Sequence, residues 1–207
     1  MTSEYRFGLP GAPCYVDDMK SVRRPATYDD LCKVPEHMVA EIIDGELVTS
    51  PRPAFPHARA TSVLSRDLMG GFDGPPGGAD APGGWWFLFE PELHFGSDVV
   101  VPDVAGWRRE RVPVIPNVAA FEQAPDWACE VVSPSTGRID HGGKVRIYGR
   151  EGVAHLWLLD PLLRTLEVYR HAEAQWVVAA TYMGNEAIHA EPFAAVALTM
   201  RRWWLEA

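Results

Sequence analysis

The spacing of apolar residues changes several times along the chain, and each spacing predicts a different element. Residues 1–26 carry Pro10, Gly11, Pro13 and Pro25 without sustained periodicity, which predicts an extended N-terminal arm. Thr27 to Asp30 reads as the capped start of a short helix reaching about Val34, because a threonine at the cap satisfies orphan amides. Glu41 to Val48 is two apolar runs around Asp44-Gly45, a strong signal for a hairpin. After a proline-rich turn at Ser50 to Pro56, residues Ala60, Val63, Leu64, Leu68 and Met69 form one stripe of a helix spanning His57 to about Gly70. The Gly/Pro-rich stretch Phe72 to Gly84 predicts a loop. Two strands follow, Trp85 to Leu93 and Asp98 to Trp107, joined at Gly96-Ser97. Residues 108–125 read as an irregular crossing.

Trp127 to Val132 is an apolar, β-branched run that suits a strand buried on both faces. The turn-forming cluster Ser133 to Gly137 ends it, and a helix then runs to Tyr148. His155 to Asp160, Thr165 to Arg170 and Trp176 to Tyr182 are further strands, and Ile188 to Trp204 a terminal strand with an apolar tail. The order predicts an α/β fold with a mixed sheet and additional β-hairpins, residues 27–207 forming a single domain behind the arm.

Composition narrows the classes. The formal net charge of -9 argues against a broad phosphate-tracking surface. Cys14, Cys32 and Cys129 form no Cys-x-x-Cys pair, so neither a zinc ribbon nor a disulfide framework is expected. No run approaches the ~20 apolar residues of a membrane span, and no basic-then-apolar leader opens the chain. A cytoplasmic protein without membrane contact is the expectation. The apolar tail around Trp203-Trp204, with the arm, points to a homodimer that covers it.

One ionisable group interrupts the central strand: Glu130. A carboxylate there must find a cation, a metal or a proton, since burying it bare costs several kcal/mol or more. Asp103 ends the strand before it, after Pro102. An Asp and a Glu on neighbouring strands can share a divalent cation, with the Val131 carbonyl as a third oxygen. Lys144, four residues past Asp140 in the following helix, would approach the same pocket, and Asp140 could orient it or simply stabilise the first turn. The plainer alternative is a turn at Asp103 and a Glu130–Lys144 ion pair. His57 could line the pocket but is more simply a surface or capping residue. Glu41 and Glu46 read best as solvated hairpin positions, although either could support a metal. Arg108, Arg109 and Arg111 could bind phosphates or sit in a solvated loop. Asp160-Pro161 reads as a turn. Ser133 and Ser135 lack a Gly-x-Ser-x-Gly elbow, so backbone turning is their expected task.

Together the YDD, EIIDGELV, PRPAFPHAR and PDV segments, with the run from Ala124 to Pro161 containing SPST and D-x-x-x-K, closely resemble the Uma-type restriction endonuclease family of the PD-(D/E)XK nuclease superfamily. The likeness covers about residues 27–200. It implies a restriction-endonuclease-like αβββαβ core and a two-carboxylate site for Mg2+ (or Mn2+), with Asp103 and Glu130 as ligands. Val132 stands where the superfamily has its lysine, and the resemblance implies that Lys144 supplies it from the helix. The function implied is metal-dependent hydrolysis of DNA phosphodiester bonds. The alternative is a catalytically weak or inactive nuclease-fold protein that binds or regulates DNA. Lys144→Ala is expected to lower turnover while leaving folding almost unchanged.

Overall fold

The computed structural model describes residues 24–78, 81–133 and 140–205. The arm apart from its last three residues, and the Ser133 to Gly137 turn after its first, lie outside the described residues.

The chain opens with α1 (Tyr28–Leu31), where the Thr27 N–H and hydroxyl both donate to the Asp30 carboxylate, at 3.0 and 2.8 Å. Strands β1 (Met38–Ile43) and β2 (Glu46–Pro51) form the expected hairpin. Its two-residue loop holds Asp44 and Gly45 at φ of 52° and 79°, the left-handed values that such a tight turn requires. Helix α2 (Phe55–Phe72) matches the apolar stripe and begins two residues early, with Pro56 in its first turn.

Neither of the next two predicted strands is continuous. The first divides into β3 (Trp85–Phe89) and β4 (Glu92–Phe95), the second into β5 (Asp98–Val100) and β6 (Val104–Arg108). The breaks fall at Glu90-Pro91 and Pro102-Asp103. Proline removes a ladder donor, so each strand leaves one sheet there and enters another. β4 and β5 join a five-stranded sheet in the order β2-β1-β5-β4-β7, where β7 is Ala120–Phe121. β3 and β6 join a six-stranded sheet in the order β11-β10-β9-β8-β6-β3. Its other members are β8 (Trp127–Val131), β9 (His155–Asp160), β10 (Thr165–Ala172) and β11 (Gln175–Met183). β8 and β9 run parallel and the remaining pairs antiparallel, so the sheet is mixed as expected. The parallel pair needs a crossover, and the segment bearing α3 (Val145–Arg150) supplies it. The elements α2, β3, β6, β8, α3 and β9 therefore give the αβββαβ order.

Alternation along β8 divides the core. Trp127, Cys129 and Val131 pack with α2 on one face of the large sheet, whereas Ala128 and Val132 pack with Ile147 and Tyr148 of α3 on the other. The C-terminal segment differs from the single strand and apolar tail expected for Ile188 to Trp204. β12 (Ala187–Ile188) and β13 (Leu198–Thr199) form a separate two-stranded sheet, followed by a 3-10 turn at Met200–Trp203. Trp203 and Trp204 are buried in the α2-side core. The chain itself thus covers both rings, which removes Trp203-Trp204 as grounds for a homodimer, whereas residues 1–23 of the arm lie outside the described residues. No described helix is long and apolar enough to cross a membrane.

Candidate functional site

The site lies where the bent hairpin changes sheets. β6 pairs antiparallel with β8, with Val104 opposite Cys129, so the chain next brings Asp103 beside Glu130. Asp103 follows a proline and ends its ladder, which frees its carboxylate to accept the Val131 N–H at 2.7 Å. Cys129, on the α2 face, senses both acids: burial pushes its thiol well above the ordinary range, and the charges of Asp103 and Glu130 push it the same way.

Glu130 is 1% exposed and points to the α3 side. The Lys144 ammonium donates to its Oε2 at 2.9 Å, and the Tyr148 hydroxyl to its Oε1 at 2.5 Å. Lys144 also meets Glu41 Oε1 at 2.9 Å and the Val101 carbonyl at 3.0 Å. Two of its donors thus serve the Glu130 carboxylate and the Val101 carbonyl, and Glu41 is held as an ion pair. Glu41 is 6% exposed and its Oε1 also accepts the Val101 N–H at 2.7 Å. This corrects its assignment to a solvated edge: Glu41 and Glu130 share one cation. Glu46 remains exposed, as read.

The approach of Lys144 differs from the α-helical spacing assumed. Asp140–Lys144 is a π-helical turn that passes into α3 at Val145. Gly142 and Gly143 lie inside it, and a Cβ on Gly143 would come within 2.7 Å of the Ile43 side chain on β1. The glycine therefore lets the turn sit against the hairpin that carries Glu41. Asp44 pairs with Arg146, and Asp98 pairs with Arg150 at 2.9 Å, fastening α3 along the same side. The Asp140 side chain lies outside the described residues.

His57 is the second correction. Its Nε2 lies 3.1 Å from Asp103 Oδ1, and the Thr61 hydroxyl donates to its carbonyl at 3.0 Å, so the ring belongs to the site and not to a helix cap. Two partners escaped the sequence reading. Tyr148 falls four residues after Lys144, a spacing that places both on one face of a helix and could have flagged it. Arg52, in the proline-rich turn, was hidden by its context. Asp103, Glu130, Val131, Lys144, Glu41, His57 and Arg52 all line one cavity of about 310 Å³.

The three arginines at the end of β6 and just after it are elsewhere. Arg109 pairs with Asp73 and lies over Trp86, Arg111 pairs with Asp126, and Arg108 lies over Trp85. They stand at the far end of the strand from Asp103, which removes them from the pocket. Asp160 accepts the Leu162 and Leu163 N–H groups, both at 2.8 Å, as a turn residue should.

A divalent cation fits this donor set. Asp103 and Glu130 are hard oxygen ligands that face the same cavity, and each carboxylate has lone pairs beyond those used by its present partners. Four carboxylates line the cavity, Glu41, Glu90, Asp103 and Glu130, against the cations Lys144 and Arg52, so negative charge is in excess. No three His, Cys, Asp or Glu side chains form a complete metal cage among the described residues. Mg2+ does not require one, since it usually keeps several waters and takes one or two carboxylates.

A family model described as "Uma2: Putative restriction endonuclease" matches residues 25–201. The fold is similar to a crystal structure of "a putative nuclease belonging to DUF820" from Anabaena variabilis ATCC 29413. The TM-score is 0.67, over 86% of this chain and 97% of that chain, with 23% identity, so this likeness speaks for the fold alone. No curated protein matches the chain. With the model extending over nearly all of the described fold, the chain belongs to the Uma2 family.

Proposed function

We propose that the protein is a metal-dependent endonuclease that hydrolyses DNA phosphodiester bonds. The observation that carries the reading is the pairing of Asp103 and Glu130 on adjacent strands, both facing one cavity and both held by partners of their own. Asp103, Glu130 and the Val131 carbonyl would hold Mg2+ (or Mn2+), which supplies neutralisation of phosphate charge and acidification of water when bound. The chain's own groups do the positioning. The Val131 N–H and His57 fix Asp103 from two directions, and Lys144 with Tyr148 fixes both oxygens of Glu130. Lys144 therefore acts first on the orientation of a carboxylate, and its charge remains close to the cavity as negative charge builds on the phosphate. Arg52, on the rim, can meet a non-bridging phosphate oxygen.

Supercoiled plasmid, incubated with the protein and a titration of MgCl2 or MnCl2, tests this. Nicking should require the cation, and Asp103→Asn or Glu130→Gln should lower it by about a hundredfold or more, as loss of an electrostatic group in a site typically does. Nicking that survives either substitution would refute the assignment. A second reading, a nuclease-fold protein that binds DNA without turnover, draws on the engagement of Lys144 by the protein's own Glu130, Glu41 and Val101 carbonyl. DNA binding with no nicking at any cation concentration would select it.

A further inference from the structure

The exposed face of α2 carries a line of groups that the proposed chemistry leaves unused. Phe55, Arg59, Ser62 and Arg66 follow at spacings of four, three and four residues, which is one stripe of a helix, and all four are exposed. Phe55 is 86% exposed. It follows directly on Ala54, a wall residue of the cavity. Ser62 lines a second recess of about 200 Å³ that shares His57, Glu90 and Asp103 with the cavity and has the exposed Phe89 on its other side. The stripe thus starts at the mouth of the site and runs away from it for about 16 Å, at 1.5 Å per residue.

Its charge runs against that of the chain. Arg202, from the C-terminal 3-10 turn, lies alongside: Arg59 donates to its carbonyl at 3.1 Å, and Arg66 and Arg202 flank Asp67 at 2.8 and 3.3 Å. Arg59 therefore keeps its whole charge, because its described partner is neutral. Arg52 pairs only loosely with Glu90, at 3.5 Å between exposed groups. Four guanidiniums meet three carboxylates here, Asp67, Glu90 and Asp103, a local positive excess on a chain of net charge -9. A polyanion repelled elsewhere is drawn to this face. Four cations are few for a duplex. An exposed phenyl ring is useful to a partner that offers the flat face of an unpaired base.

We infer that this face of α2 is a track for single-stranded DNA, with Phe55 stacking a base and Arg59, Arg66 and Arg202 meeting successive phosphates, so that the strand is led past Arg52 into the cavity. The inference rests on the nuclease reading for its biological sense, but binding can be measured apart from cleavage.

Fluorescence anisotropy of a labelled pyrimidine oligonucleotide, in EDTA so that nothing is cut, is the direct test. The protein should bind it more tightly than the same sequence as a duplex. Phe55→Ala should weaken binding about tenfold, the scale of one lost stacking contact. The double variant Arg59→Gln/Arg66→Gln should reduce the slope of log affinity against log salt by about 1.4, which is ~0.7 for each phosphate contact on a single strand. All three positions are exposed, so folding is retained. Absence of oligonucleotide binding, unchanged affinity in both variants, or a duplex preference indifferent to Phe55→Ala would overturn the track. Binding through the stripe without plasmid nicking would sink the nuclease reading alone. Full nicking with no binding loss in the variants would sink the track alone.

Discussion

Among the described residues, Lys144 is the cation that stands between two buried carboxylates, and its energetics follow from that position. At 3% exposure its ammonium is out of bulk water, and among the described residues Glu41, Glu130 and the Val101 carbonyl offset the desolvation. Removing one partner of such a cluster leaves uncompensated buried charge, which costs about 3–5 kcal/mol. Lys144→Ala should accordingly lower the urea-denaturation stability by that amount, contrary to the small effect expected for a lysine that merely lines a pocket. Adding Glu41→Gln should restore part of the loss, because one of the two carboxylates that faced the ammonium is then neutral. A Lys144→Ala protein as stable as the parent would show that water reaches the cluster freely. A second residue sets a pH dependence away from the site. Burial holds the His155 imidazole below its ordinary value of 6.5, against the weaker opposite pull of Glu191 at 3.8 Å. As pH falls below 6.5 the unfolded chain takes up this proton more readily than the folded one, so stability is complete above 6.5 and declines below it. Thermal denaturation across pH about 5 to 8 should show this decline, and His155→Gln should flatten it.

At the scale of elements, the decisive feature is a strand pair that changes sheets. Hydrophobic content marked Trp85 to Leu93 and Asp98 to Trp107 as strands, and local pattern shows no more than that. Pro91 and Pro102 signal an interruption, but whether a strand stops, bulges or enters a second sheet is decided by what packs against it. The same limit hid Glu41. Its neighbours in β1 suggest a half-buried hairpin, and its burial depends on a lysine 103 positions later in the chain. Asp103, Glu130 and Lys144 were legible because each breaks an apolar run or sits at a telling spacing. The π-helical turn was not, since Gly142-Gly143 reads locally as flexibility. Its role is steric: the turn rests against Ile43 with no room for a Cβ. Gly143→Ala should therefore push the turn off β1, cost about 1–3 kcal/mol as overpacking does, and carry Lys144 away from Glu130. Turnover per folded molecule should fall along with stability. A variant with lowered melting temperature and unaltered turnover would separate the turn from the site.

For the whole molecule, the large sheet divides two cores that do different work. On the α3 side lie Ile43, Ile147, Tyr148 and the residues that support Glu130. On the α2 side the C-terminal segment inserts Phe193 among five aromatic rings: Phe72 and Trp85 at 4.9 Å, Trp127 at 5.2 Å, Phe87 at 5.5 Å and Trp157 at 5.6 Å between centroids. Such edge-to-face and tilted contacts add to the burial of a large apolar ring. Phe193→Ala leaves a cavity that rigid indoles cannot collapse into, so a loss of about 3–5 kcal/mol is expected in urea denaturation. The lost contacts lie at the Phe72 end of α2, while His57 meets Asp103 at the opposite end, and the Glu130 cluster is on the other face of the sheet. Turnover per folded molecule should then stay within a few fold of the parent, unlike that of Gly143→Ala, although this substitution costs the fold more. If Phe193→Ala instead reduces turnover as far as Gly143→Ala does, strain crosses the sheet and the two cores act as one.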